Sequence, residues 1–170
     1  KSHHNVGLNM GNLRQLHPFG HLFKDEVRAL ARKVGLPESV WKRNPFPGPG
    51  LFLRIVGTPA TSEKLALVRW ATAEVERIIR KKQPEVYDAL SQLVVAYLAA
   101  KTVGVKGDER VYRGSFVVKA VETMDFMTAR AVHFSDAVED EISAVLTSHP
   151  DIVRVLFDMT TKPPATVEFE

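Results

Sequence analysis

The sequence predicts an α+β fold, in which a split β-α-β-β-α-β unit follows a separate N-terminal part. Three observations indicate this fold. Apolar residues between 22 and 34 recur with a helical period, and a segment rich in proline and glycine occupies residues 44–50. Strand and helix patterns then alternate from residue 51 onwards. The elements after residue 50 are therefore expected to form one sheet with helices packed against it.

Composition excludes several classes of protein. With 170 residues, of which 45% are apolar and 25% charged, the chain can bury one good core and is not disordered. Cysteine is absent, which excludes disulfides, cysteine-based zinc sites and thiol nucleophiles. No apolar run approaches the ~20 residues of a membrane-spanning helix, and no basic stripe interleaved with aromatic residues indicates nucleic-acid binding. We expect a cytoplasmic protein with no nucleic-acid or membrane partner.

Positive charge is concentrated towards the N-terminus. Residues 1–54 contain nine Lys and Arg against three Asp and Glu, whereas the remaining residues contain fourteen against seventeen. This imbalance favours an anionic partner for the N-terminal third, and a solvated basic surface is the alternative. His3 and His4 are adjacent, so their side chains diverge, and no third ligand stands at a suitable spacing. The sequence therefore predicts no metal site.

One amphipathic helix is predicted in the N-terminal part. Its apolar face consists of residues with helical spacing, and Gly35 followed by Pro37 marks its end. The residues of that face are Leu22, Phe23, Val27, Leu30, Ala31 and Val34. The segment NPFPGPG at 44–50 can neither form a helix nor pair in the middle of a sheet. It is either a linker or the wall of a binding site.

The next residues predict a strand followed by helices. Residues 51–57, LFLRIVG, have the apolar character of a buried strand. Thr61 or Ser62 is a suitable N-cap for a long helix, and a short helix is expected at 85–90. The sequence LVVAYLAA at 93–100 fits either a helix or a strand.

A hairpin, a helix and a strand complete the predicted order. The residues GDE at 107–109 indicate a turn before the alternating residues 115–123, and so predict the hairpin. Ser135 or Asp136 opens the next helix, and residues 152–160 form the last strand. This order predicts an antiparallel sheet with both crossover helices on one face. Because the other face would leave an apolar patch exposed, we expect a partner subunit to cover it in a homodimer.

The last eleven residues, TTKPPATVEFE, carry candidate ligand-binding groups. Their paired prolines predict a stiff, extended tail that carries Lys162 and Glu168, and Arg154 lies on the preceding strand. Lysine and arginine suit a phosphate, and a carboxylate can accept a hydrogen bond from a ring N–H or a ribose hydroxyl. The pattern fits either a pocket for a nucleoside monophosphate or a solvated tail.

Several motifs of this chain resemble, in order and spacing, the C-terminal third of glutamine-hydrolysing GMP synthase. They are KSHHNVG, FKDEVRALARKVGLP, PFPGPGL followed by Arg54, VGVKGD with Arg110, AVETMDFMTA and KPPATVEFE. The resemblance extends over essentially all 170 residues. On these motifs the chain is identified as a C-terminal portion of that enzyme family.

The resemblance implies an enzyme, a carbon–nitrogen ligase of GMP biosynthesis. Such a ligase adenylates xanthosine monophosphate (XMP) with ATP and Mg²⁺, after which ammonia derived from glutamine displaces AMP and gives GMP. In the family, an amidotransferase domain supplies the ammonia and an SGGxDS loop of an ATP pyrophosphatase domain binds the phosphates of ATP. Neither feature occurs in this sequence. The fragment is therefore expected to be inactive alone and to need the rest of the enzyme as a partner.

The resemblance also implies a division of the chain. Residues 1–45 correspond to the lid loop and closing helix at the end of the α/β ATP pyrophosphatase domain. Residues 46–170 correspond to the C-terminal dimerisation and XMP-binding domain. The rival hypothesis is a stand-alone ferredoxin-like dimerisation module that binds a small anion without catalysis.

Site residues follow from the resemblance, position by position. Lys1 falls on the lid lysine, with His3 and His4 beside it, and these three are expected to serve catalysis. The residues expected to bind or line the site of XMP are Arg154, Lys162, Glu168, Gln92, Arg54, Pro47 and Gly48. One departure concerns Glu109, which replaces a glycine of the family pattern at the hairpin turn. If that position needs a positive φ, the carboxylate alters the turn.

Overall fold

The computed structural model describes residue 11, residues 16–41 and residues 50–170. The chain divides into two compact units, Lys1–Lys42 and Arg43–Glu170. The boundary that we predicted between residues 45 and 46 falls outside the described residues, as do Lys1, His3, His4, Pro47 and Gly48.

The first unit contains the predicted amphipathic helix as α1, Lys24–Lys33, followed by the short helix α2, Glu38–Trp41. The Glu26 carboxylate accepts a hydrogen bond from the Phe23 N–H at 2.7 Å, which satisfies one of the free donors at the start of α1. Gly35 has a φ of +82° just beyond the end of the helix, a conformation that glycine adopts without a steric penalty. The prediction of this helix and of its C-terminal stop is confirmed.

The second unit begins differently from the prediction. Residues expected to form a strand at 51–57 form a 3-10 turn, Gly50–Arg54, and only β1, Ile55–Val56, is a strand. In a strand, neighbouring side chains would point to opposite faces of the sheet. The 3-10 turn does not follow this alternation, and at its end the side chain of Arg54 is buried, with 4% exposure. The long helix α3, Ser62–Lys82, and the short helix α4, Pro84–Ala89, follow as predicted. The Thr61 hydroxyl caps α3 by accepting from the Lys64 N–H at 3.3 Å.

The predicted hairpin is present and is longer than expected. Its strands are β2, Gln92–Lys106, and β3, Glu109–Glu122, so the ambiguous residues 93–100 belong to a strand. At the turn, Gly107 takes the positive φ of +60° and Glu109 does not. Glu109 instead pairs with Lys106 as the first residue of β3, and the expected strain at this carboxylate is therefore absent.

Three further elements complete the unit. The two-residue strand β4, Arg130–Ala131, has no counterpart in the prediction, whereas the helix α5, Asp136–Thr147, agrees with it. The last strand, β5, is Ile152–Phe157, and so ends three residues earlier than predicted. It ends because the Asp158 carboxylate accepts from the Thr160 N–H at 2.8 Å, which turns the chain away from the sheet.

The five strands form a mixed sheet rather than the predicted split, antiparallel one. β1 pairs directly and in parallel with β2, and β3 pairs directly and in parallel with β5. In a split layout another strand would separate each such pair. The hairpin of β2 and β3 instead occupies the centre, and β4 and β5 share the outer edge of β3. The α+β class is confirmed, and the split order of strands is wrong.

One face of the sheet is covered by the helices. Buried residues of α3 and α5 pack against apolar side chains of the strands in a single cluster. These residues include Val68, Val75, Ile79, Val138, Ile142 and Leu146 of the helices and Val95, Phe116 and Val118 of the strands, each at most 1% exposed. The apolar faces of α3 and α5 therefore form the main core together with these strand residues.

The second face, on which Gln92, Val94 and Ala96 of β2 lie beside Val117, Lys119 and Val121 of β3, was expected to need a partner subunit. In the structure, residues 158–170, here called the C-terminal segment, cover part of it. Val167 and Phe169 of this segment pack with Val94, Ala96, Val117 and Val121. The segment is not the extended tail that its prolines predict, because it turns where the Ala165 N–H donates to the Thr161 carbonyl at 3.1 Å.

Candidate functional site

Three residues that were predicted to bind the same ligand meet at the C-terminal segment. The Arg54 guanidinium donates from Nε and Nη2 to the two carboxylate oxygens of Glu168, at 3.3 and 3.0 Å. The Gln92 amide donates to Glu168 Oε1 at 2.7 Å. We call Arg54, Gln92 and Glu168 the Glu168 cluster. Arg54 and Gln92 are buried, at 4% and 5% exposure, and the side chain of Glu168 is 16% exposed.

Each member of the Glu168 cluster comes from a different element. Arg54 ends the 3-10 turn before β1, Gln92 is the first residue of β2, and Glu168 belongs to the C-terminal segment. The neighbours of Glu168, Val167 and Phe169, pack on the second face of the sheet. Burial of these two apolar side chains holds the Glu168 carboxylate, which lies between them in the sequence, over the first residue of β2.

The chemistry of Glu168 leaves it able to receive a further hydrogen bond. A carboxylate offers about four lone-pair positions, and Arg54 and Gln92 occupy three of them. The two-point contact with Arg54 fixes the plane of the carboxylate. Glu168 is therefore a rigid acceptor, in partial contact with solvent, for an N–H or O–H donor of a ligand.

Lys162 lies at the same end of the sheet as Gln92. The backbones of Lys162 and Ala129 exchange two N–H···O hydrogen bonds, each of 2.9 Å. Ala131, two residues after Ala129, pairs with Val121 of β3. Val121 in turn pairs with Gln92 of β2, which places Lys162 near Gln92. The Lys162 ammonium donates to the Phe126 carbonyl at 2.6 Å. An ammonium group has three hydrogens, so Lys162 can also donate to an anion.

The turn that receives Lys162 has unusual backbone geometry. Phe126 has a φ of +63°, which is uncommon for a residue other than glycine. Thr123 secures this conformation, because its hydroxyl accepts from the Phe126 N–H at 2.9 Å and donates to the Thr128 carbonyl at 2.5 Å. Asp125 accepts from the Met127 N–H at 2.8 Å. The turn at 123–128 thus presents the Phe126 carbonyl to Lys162.

Arg154 does not join the Glu168 cluster. It lies on β5 opposite Ser115 of β3, and its Nε is 3.5 Å from the Thr102 hydroxyl. β5 and β1 are at opposite edges of the sheet, separated by β2 and β3. With about 4.8 Å between neighbouring strands, the two edges are about 14 Å apart.

An ion pair that the sequence did not predict lies beside the Glu168 cluster. Lys119 of β3 is 1% exposed, and its ammonium is 2.6 Å from Asp158 Oδ2. Burial is the largest single influence on the pKa of Asp158 and raises it, but hydrogen bonds from Lys119 and Thr160 together hold that pKa below its ordinary value. A lysine inside the apolar run SFVVKAV at 115–121 was the sequence signal for this buried charge.

A cavity lies elsewhere in the second unit. It has a volume of about 650 Å³ and is lined by residues of α3, the hairpin and the turn before β5. At its wall the rings of Trp70 and His149 are in contact, tilted by 43° to each other, with 5.5 Å between their centroids. No member of the Glu168 cluster lines this cavity, so we do not place the site there.

Two further structural findings bear on function. Within residues 11, 16–41 and 50–170, no three His, Asp or Glu side chains are close enough together to hold a metal ion. In the same part of the chain, no helix is both long and apolar enough to cross a bilayer.

Comparison with known proteins supports the resemblance in the sequence. Residues 79–169 match the family model described as the GMP synthase C terminal domain. Over its whole length the chain is 47% identical to one of the subunits of glutamine-hydrolysing GMP synthase from Thermococcus kodakarensis and covers 55% of that protein. It is also 47% identical to the corresponding protein from Pyrococcus furiosus, of which it covers 54%. It is 42% identical to glutamine-hydrolysing GMP synthase of Candida albicans, of which it covers 32%.

The chain therefore spans about half the length of these archaeal relatives and about a third of the fungal one. The matched family region contains β2 to β5 and most of the C-terminal segment, with Gln92, Lys162 and Glu168 of the candidate site. Both the family model and the full-length identities agree with the motifs of the sequence. The chain belongs to the GMP synthase C terminal domain family.

Proposed function

We propose that this chain is the C-terminal part of a GMP synthase and that its second unit binds XMP at the Glu168 cluster. Three residues expected at the nucleotide site, distant in sequence, meet in hydrogen-bonding contact, and this observation supports the proposal most strongly. Glu168 would accept a hydrogen bond from the base or the ribose of XMP. Lys162, at the same end of the sheet, would supply positive charge for its phosphate. Arg154, on the far edge of the sheet, is a further phosphate ligand that the resemblance predicts, and it is tested separately.

The proposed reaction has two steps. The C2 oxygen of XMP attacks the α-phosphorus of ATP, which forms adenyl-XMP and releases pyrophosphate. Ammonia then displaces AMP from C2, loses a proton and yields GMP. Adenylation is needed because it turns a poor leaving group into a good one. The role of the second unit is to hold XMP in one orientation while both steps take place.

Other parts of the enzyme would supply ATP, Mg²⁺ and ammonia. The described residues hold no cluster of metal ligands, and the sequence contains no SGGxDS loop for the phosphates. We therefore assign ATP and Mg²⁺ to the ATP pyrophosphatase domain, of which residues 1–45 would be the end. Within that part, Lys1, His3 and His4 would act on the lid that closes over the reacting phosphates, and Pro47 and Gly48 would line the wall of the XMP site.

A second proposed role is dimerisation of residues 46–170. The hairpin carries apolar side chains that remain exposed, namely Val103 at 41%, Val105 at 74% and Tyr112 at 51%. Val103 and Tyr112 pair across the two strands and so form one surface. A second copy of this chain would cover it. The membership of the family does not favour the rival hypothesis of a stand-alone module without catalysis.

Steady-state kinetics of the complete enzyme test the XMP site. Glu168→Gln keeps the shape of the side chain and removes its charge, so we expect the KM for XMP to rise by about tenfold while the KM for ATP changes little. Glu170→Gln is the matched control, because Glu170 is an exposed carboxylate two residues away. Equal behaviour of the two variants would remove Glu168 from the nucleotide site.

A further inference from the structure

Lys119 is a buried cation for which neither the sequence nor the proposed reaction provides a role. Its neighbours on the same face of β3, Val117 and Val121, are apolar and buried. Burial of an ammonium group is unfavourable unless a partner compensates for its lost hydration. Here the compensating partner is Asp158, at 2.6 Å. A charge at this position therefore needs an explanation beyond packing.

The contacts of Lys119 join the two ends of the C-terminal segment. Asp158 is the first residue of the segment, and its own N–H donates to the Val118 carbonyl at 2.9 Å, next to Lys119 in β3. At the other end, the Lys119 ammonium lies 6.0 Å from the centre of the Phe169 ring, within the range of a cation–π contact. One side chain thus contacts both the start of the segment and its penultimate residue.

The candidate ligand-binding residues lie between these two contacts. Lys162 follows Asp158 by four residues, and Glu168 directly precedes Phe169. We infer that Lys119 is a positioning residue for the nucleotide site: it holds both ends of the C-terminal segment on the second face and so sets Glu168 against Arg54 and Gln92. The inference rests on the proposed function, because it assumes that Glu168 receives the nucleotide.

The charge of Lys119, and not only its volume, would carry this role. Methionine has a similar shape but can neither donate to Asp158 nor attract the Phe169 ring as a cation, so the segment would lose both contacts. Arginine keeps both, since it is a cation of similar length that can bond to a carboxylate. Lys119→Met and Lys119→Arg therefore separate charge from packing.

The complete enzyme provides the test, with two measurements on each variant. In Lys119→Met we expect the KM for XMP to rise by roughly tenfold, the range in which partners behind a binding residue act, with a smaller change in kcat. Lys119→Arg should restore the KM to within about threefold of the unmodified enzyme. Lys101→Met is the control, because Lys101 is an exposed lysine of the neighbouring strand β2.

Amide hydrogen exchange of the same variants reports on the segment directly. Lys119→Met should lose protection at residues 159–169, while α3 and α5 keep theirs. Asp158→Asn should show the same loss of protection. The double variant Lys119→Met/Asp158→Asn should lose no more protection than the more affected single variant, because both substitutions break the same ion pair. Retained protection at α3 and α5 shows that the fold is intact, so the result does not depend on the global stability of the variant.

The outcomes distinguish this inference from the proposed function. Unchanged protection at residues 159–169 in Lys119→Met overturns the inference. Lost protection with an unchanged KM for XMP also overturns it, provided that Glu168→Gln raises that KM and the XMP site stands. If neither variant changes the KM for XMP, the proposed function itself fails, and the positioning role fails with it.

Discussion

The Arg54 guanidinium and the Glu168 carboxylate form a two-point ion pair across 114 residues of sequence, with 3.0 Å between Nη2 and Oε1. The pair ties the start of β1 to the last residues of the chain. Because Arg54 is buried and Glu168 is nearly so, water screens their interaction weakly. Loss of one partner would leave the other charge buried without compensation.

Arg154 lies across the sheet from Arg54, so a substitution of Arg154 tests whether a residue this far from the Glu168 cluster binds XMP. If its guanidinium binds the phosphate of XMP, Arg154→Ala in the complete enzyme should raise the KM for XMP by about tenfold, the loss of one charge-assisted hydrogen bond. Arg113→Ala, an exposed arginine of β3, is the control. A KM equal to that of the unmodified enzyme would limit Arg154 to its contact with Thr102.

The Lys119–Asp158 pair predicts a dependence of stability on pH. The pKa of Asp158 is lowered in the folded protein. The ionised carboxylate therefore contributes fully to the free energy of unfolding above the unfolded-state pKa of about 3.9. This contribution is lost as the pH falls through the lower, folded-state pKa. Urea unfolding should show Asp158→Asn about 2 kcal/mol less stable than the unmodified protein at pH 5–7. A difference that does not shrink below pH 4 would contradict this assignment.

Close packing against glycine predicts a destabilising substitution. A Cβ atom built on Gly114 would lie 2.5 Å from the ring of Tyr97, nearer than real contacts allow. Gly114→Ala should therefore lower the free energy of unfolding by about 1–3 kcal/mol. In a Tyr97→Leu background, the added Gly114→Ala substitution should lower the free energy of unfolding by less, because the smaller leucine side chain leaves space for the new Cβ. Additive losses in the double-mutant cycle would show that the two residues do not collide.

The proposed dimer is tested by light scattering. The protein should show a mass near twice the 19.0 kDa of one chain, and Val103→Asp should reduce it to that of one chain, since a charge on the hairpin surface cannot be buried without a partner. Met124→Asp is the control, because Met124 is 92% exposed on a different turn. A mass of one chain for the unmodified protein at tens of micromolar would exclude the dimer.

The sequence alone determined the helices α1, α3, α4 and α5 and the existence of the hairpin. Periodicity, Thr61 as an N-cap and Gly35 as a stop are local signals, and each depends on residues within one or two turns of the chain. The presence of Arg54, Gln92 and Glu168 at one site was also predicted, but only through the family's motifs, since no local rule connects residues so far apart.

Only the tertiary structure decided how the strands are ordered and what covers the second face. The order of helices and strands along the chain is compatible with two sheets, one in which the parallel strands pair directly and one in which another strand separates them. Which sheet forms depends on the edge of the hairpin that each outer strand occupies. Likewise, the C-terminal segment lies on the sheet through contacts such as that between Lys119 of β3 and Asp158. Such a contact joins residues distant in sequence, and its free energy depends on burial that local patterns do not encode.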